Sequence, residues 1–203
     1  MGDARRRRQE IAMMKAAENN FLSMEGDDKV IAITAMSVFN KIVIGLDMVN
    51  GCYNLAFFLS EYLQREHQIK VDRVFGWLTN DKYLTTGMAH AWISHSGRVT
   101  DLSVFNNEHP DVLLPGPVLI HGIAYRGGNV KYTYHSEIPT ENKLVRESMA
   151  SLSEVHAELL NRHEQEYLML KAMSERPDGG CEYFSGAELA TSYEYLKHVL
   201  ENT

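Results

Sequence analysis

The stretch NGCYNLAFFLSEYLQREHQIKVDRVFGW, residues 50–77, changes its hydrophobic period part-way along, and that change decides the fold. Leu55, Ala56, Leu59, Tyr62 and Leu63 fall on one stripe of a helix over residues 52–68. Asn50 or Gly51 would serve as its N-cap. From Ile69 the period is two. Ile69, Val71, Arg73, Phe75 and Trp77 alternate with their neighbours as they do in a strand.

Working outward, residues 79–87 (TNDKYLTTG) read as a polar loop. Residues 89–95 and 98–105 read as two strands about the turn dipeptide Ser96-Gly97. Residues 106–117 form a proline-bearing loop. Residues 118–126 and 129–136 flank Gly127-Gly128, which predicts a hairpin there because glycine tolerates positive φ. From Glu141, Leu144, Val145, Met149, Leu152, Val155 and Leu159 recur at helical spacing, and the pattern runs on to Ser174. One unbroken helix of that length would measure about 50 Å. It would offer a surface to a partner or a second copy; the alternative is two shorter helices packed on the core. Residues 187–200 read as a last helix. Upstream, residues 30–49 read as helix and residues 1–28 as a polar helical arm. Helices, then turn-linked strands, then helices make an α+β chain. The expected organisation is one domain over 1–203: the arm (1–28), a catalytic-type core (29–140) and C-terminal helices (141–203). No GxGxxG or GxxxxGK[ST] motif occurs, so a Rossmann or P-loop design is disfavoured.

The 203 residues are 44% apolar and 23% charged, with 20 Lys+Arg against 27 Asp+Glu, a net charge of −7. That balance argues against broad binding to nucleic acid or to an anionic membrane surface. Arg5, Arg6, Arg7 and Arg8 are a local exception. They read as a solvated arm or as a contact for phosphate or a partner. The most apolar run, 30–49, carries Asn40 and Lys41 at its centre, which suits a buried helix and not a membrane span. Two distant cysteines make no disulfide framework, and a cytoplasmic compartment with reduced thiols is expected. With no CxxC or HExxH motif, no metal or cofactor is expected.

The chemistry concentrates in residues 50–105. Cys52 stands in the first turn of an amphipathic helix, where free N–H groups and the helix dipole favour a thiolate and can hold an oxyanion. In a hairpin centred on Ser96-Gly97, paired numbers sum to 193. His90, Trp92, Asp101 and Ser103 then share one face, with Asp101 the diagonal neighbour of His90. A carboxylate there fixes the imidazole, leaving its second nitrogen to take a proton from a thiol. Nucleophile, base and orienter follow in the order Cys52, His90, Asp101. Cys181 lacks a helix start in this reading and is a bystander.

GCYNLAFFLSEYLQREHQIKVDRVFGWL, followed by AHAWISHSGRVTDLS, resembles the transglutaminase-like branch of the papain-like cysteine protease superfamily. The likeness is closest to small bacterial members such as leader peptidases of lasso-peptide biosynthesis. It implies a papain-like core in which a nucleophile helix packs on an antiparallel sheet. It also implies Cys52 as nucleophile, His90 of His90-Ala91-Trp92 as base and Asp101 as orienter. The expected partner is a peptide or protein amide, attacked by a peptidase, amidase or deamidase. Arylamine acetyltransferases share the triad but carry Arg-Gly-Gly before the cysteine. Here Val49-Asn50-Gly51 stands in that place, which counts against an acyltransferase. The other alternative is a non-catalytic binding module of the same fold, using the C-terminal helix. Asn50 and Trp77 are candidates for a second oxyanion donor, although helix cap and core aromatic are their plainer roles. Tyr83 is placed to close over substrate from the 79–87 loop, and Trp92 to pack beside the histidine.

Overall fold

The computed structural model describes residues 2–82, 84–107 and 114–202. Helix α1 (Gly2–Ser23) is followed by α2 (Gly26–Val38), which runs straight into a π-helical segment, Phe39–Ile44. Helix α3 (Cys52–His67) leads to strands β1 (Asp72–Asn80), β2 (Met88–His95) and β3 (Arg98–Thr100). Then come β4 (Val118–Ile120), β5 (Ile123–Arg126) and β6 (Tyr132–His135). Helices α4 (Thr140–Ala150), α5 (Glu154–Ser174), α6 (Gly179–Ser185) and α7 (Tyr193–Asn202) complete the chain, with a 3-10 turn at Leu189–Thr191. The fold is α+β. Among the described residues, no helix is long and apolar enough to cross a membrane.

The main sheet is antiparallel in the order β3-β2-β1-β6, and β4-β5 form a separate pair. In the β1–β2 register Gly76 faces His90 and Trp77 faces Ala89. Alternation therefore puts Phe75, Trp77, Ala89, Ala91 and Ile93 on one face and Gly76, His90 and Trp92 on the other. The first face is covered by helices. Tyr53 and Phe57 of α3 pack on Phe75 at ring distances of 5.5 and 5.7 Å, and Tyr167 of α5 lies 5.2 Å from Trp77. The second face is covered by loop segments through a small apolar cluster of Leu78, Val104, Val130 and Tyr132.

Four expectations need correction. Residues 118–126 fold back on themselves at His121-Gly122, and Gly127-Gly128 is not a hairpin turn. Both turn residues have positive φ, 50° and 78°, as a two-residue hairpin loop demands. Gly128 instead lets two loop segments pass closely, since a Cβ there would run into the backbone of Gly116 and Pro117. The strand expected over 98–105 ends at Thr100, and Asp101 bridges to Leu119. Asp101 Oδ1 accepts the Ser103 N–H at 3.1 Å, a local turn that competes with the ladder. The arm is two elements, because α1 stops at Ser23 and a new helix starts at Gly26; its Ala17 and Phe21 are core residues. Finally, residues 141–174 are not one long helix. The chain breaks after α4, and Ser153 caps α5 by accepting the His156 N–H.

Candidate active site

Cys52 is the first residue of α3, with Gly51 at the N-cap position and Asn50 just before it at φ 52°. The N–H of a first-turn residue has no acceptor within its own helix. Cys52 is partly exposed. It lines a cavity of 150 Å³ together with Asn50, Met88, His90, Ser103 and Asn107. Cys52 comes from the helix-covered side of the sheet and His90 from the other face. They meet along β2 beyond the end of β3.

The Ser96-Gly97 turn has the two-residue form, and β2 pairs with β3 as Ile93–Thr100 and His95–Arg98. That register carries Asp101 and Ser103 to His90 even though the ladder has stopped. His90 Nε2 donates to Asp101 Oδ2 at 2.8 Å and lies 3.3 Å from Ser103 Oγ. Ser103 Oγ donates to Asp101 Oδ1 at 2.9 Å, and Tyr134 Oη donates to Asp101 Oδ2 at 2.8 Å. With Nε2 engaged, Nδ1 is the nitrogen left for Cys52, which lines the same small cavity as His90.

Electrostatics follow from this packing. Burial disfavours the charged imidazole, but the Asp101 carboxylate and Cys52 outweigh it and push His90 up to about 10. Burial also works against the Asp101 carboxylate, yet His90, Ser103 and Tyr134 together hold its pKa below the ordinary carboxylate value. Tyr134 is driven far above the ordinary phenol range by burial and by the Asp101 charge, so it remains a hydrogen-bond donor.

The structure brings together Cys52, His90, Asp101 and Asn50. Trp92 packs beside the histidine, 6.3 Å between rings and nearly parallel, and meets Tyr134 edge-on at 5.0 Å. Trp77 is not at the site. It pairs with Ala89 on the opposite face and is buried against Tyr167 and the Arg146 guanidinium. Tyr83 lies outside the described residues. Cys181, expected to lack a helix start, sits in the first turn of the short α6 with its sulfur 3.0 Å from Arg65 Nη2.

Tyr134 is the residue the sequence did not yield. Its signal was the alternation in Tyr132-Thr133-Tyr134-His135, which becomes informative only once β6 is paired with β1, Leu78 opposite Tyr134. Among the described residues, no cluster of three or more His, Cys, Asp or Glu could hold a metal ion. No protein-family model, no curated protein and no solved structure matches the chain.

Proposed function

We propose that the protein is a cysteine-dependent acyl-transfer enzyme acting on an amide, with a papain-like or transglutaminase-like core and Cys52, His90 and Asp101 as its triad. One observation carries the reading: a buried imidazole, fixed through Nε2 by a fully hydrogen-bonded carboxylate, meets a partly exposed cysteine at a helix start. In this mechanism Cys52 attacks as the thiolate, and the raised His90 carries the proton at neutral pH. The sulfur attacks the amide carbonyl, and the Cys52 N–H, with Asn50 beside it in the cavity lining, receives the oxyanion. The C–N bond then breaks as His90 delivers its proton to the leaving amine. Water, deprotonated by the now neutral His90, releases the acyl group from the thioester. Asp101 orients the ring throughout and stabilises its charge.

The test is alkylation by iodoacetamide, which needs no substrate. Cys52 is expected to react far faster than Cys181. His90→Ala slows Cys52 by about 100-fold, and Cys52→Ala removes the fast phase altogether. Equal, slow labelling of both thiols would overturn the activated nucleophile.

A separate docking role has its own observation. Leu144, Leu152, Val155, Leu159, Leu168 and Met169 of the α4–α5 region are exposed. Sedimentation of wild type against Val155→Asp/Leu159→Asp reads whether a second copy covers them.

A further inference from the structure

The segment from Ser103 to Asn107 has a cavity on each side. Ser103 and Asn107 line the cavity at Cys52, while Phe105 lines a larger one of 640 Å³ against α1. Arg6, Arg7 and Arg126 line this second cavity with Met13 and Pro115. Arg126 is a fixed wall. Its guanidinium is 4.2 Å from the centre of the Phe105 ring and pairs with Glu10 at 2.7 Å. Arg6 donates to Asn129 Oδ1 at 2.9 Å, and Arg7 makes no hydrogen bond or ion pair with any described residue. Neither guanidinium is paired with a carboxylate among the described residues.

Local helix energetics do not account for these arginines. They occupy the first turns of α1, where the dipole disfavours positive charge. Taking the four arginine charges away from the net −7 leaves the rest of the chain at −11. The chain as a whole therefore disfavours an acidic ligand, and this arginine cluster favours one. A guanidinium pair favours carboxylate or phosphate. Two features select a carboxylate on a peptide over a nucleotide. Phe105, the aromatic ring of the lining, already carries Arg126 on its face and is not free for base stacking. The floor continues into the segment that borders Cys52, where the amide would lie.

We propose that this cavity anchors a carboxylate-bearing segment of the amide substrate, which makes the substrate an acidic peptide. The inference rests on the acyl-transfer reading for its link to Cys52.

The test is fluorescence anisotropy on full-length Cys52→Ala protein with a fluorescein-labelled decapeptide carrying three glutamates, against the same peptide with glutamines. At low salt the glutamate peptide binds at least tenfold more tightly, and the preference shrinks as salt is added. Arg6→Glu/Arg7→Glu abolishes the preference. Arg5→Glu/Arg8→Glu, with the same charge change outside the cavity lining, retains most of it. Equal losses in the two double variants, or no preference in the parent, would overturn the site. Displacement of the peptide by inorganic phosphate or ADP at lower concentration would overturn the peptide assignment. Alkylation of Cys52 in the wild type reports the triad independently. Fast labelling without the glutamate preference removes the cavity proposal alone; the preference with slow labelling removes the triad alone.

Discussion

Asp101 is held harder than a carboxylate needs to be for folding. It is buried, and it accepts from His90, from the Ser103 backbone and hydroxyl, and from Tyr134. Each donor favours the charged carboxylate, which in turn favours the charged His90. Tyr134→Phe removes one charge-assisted bond without changing the ring. It is expected to cost about 2 kcal/mol, lowering Tm by about 4–8 °C. The His90 pKa should move down with it, because a less constrained carboxylate holds the imidazolium less well. Thermal melts and the histidine NMR titration check the two parts; an unmoved His90 titration would confine Tyr134 to a packing role. His90 and Asp101 were legible from spacing because a two-residue turn fixes which side chains share a face, and Cys52 from its place at a helix start. Tyr134 was not, because its place depends on its pairing with Leu78, 56 residues away in sequence, which no local pattern encodes.

At the scale of elements, the β4–β5 hairpin shows how a turn escapes sequence reading. Gly127-Gly128 is the stronger local signal, but the chain turns at His121-Gly122 because tertiary contacts hold His121 in place. Its backbone N–H donates to Thr100 Oγ1 at 2.8 Å, and its Nε2 lies 3.0 Å from Asp28 Oδ1 and 2.9 Å from Arg98 Nη1. His95 sits nearby at a ring distance of 6.2 Å. The His121 side chain is fully buried, and its Nδ1 has no hydrogen-bond partner. Burial lowers the His121 pKa, Asp28 opposes that shift, and Arg98 and His95 add to it, with a net downward result. The unfolded chain therefore binds the proton first as pH falls below about 6.5. Stability contributed by neutral His121 is complete above that pH and is lost on acidification toward the lower folded value. Wild type should lose Tm between pH 7 and pH 5, whereas His121→Asn, which still tolerates the left-handed turn, should show a shallower slope. Parallel slopes in the two proteins would assign the acid sensitivity elsewhere. The same cluster ties α2 to the strands that deliver Asp101, so the hairpin supports the site as well as the fold.

At the scale of the molecule, the main core draws on helices from α1 to α7, and the N-terminal segment is where composition misled. Its charge and its arginines mark it as an arm, because the few apolar residues that anchor it are diluted among polar ones. Phe21 nevertheless has no exposed surface, and its ring lies 6.1 Å from Tyr125, which meets Phe39 edge-on at 5.8 Å. Glu18 accepts from Tyr125 Oη at 3.1 Å, and Glu10 pairs with Arg126, so α1 is fastened to β5 by both core and rim. If α1 were a solvated arm, truncating Phe21 would cost almost nothing. Docked as it is, Phe21→Ala removes a buried ring that neighbouring helices cannot collapse around, at about 3–5 kcal/mol. Arg7→Ala, exposed on the same helix, should fall within about 0.5 kcal/mol of wild type. Urea unfolding of the two variants separates the cases. A midpoint for Phe21→Ala equal to that of Arg7→Ala would mean that α1 is not part of the cooperative unit. A large drop for Phe21→Ala alone would mean that the arginines at its start are presented on a docked helix, as an anion-binding wall beside Phe105 requires.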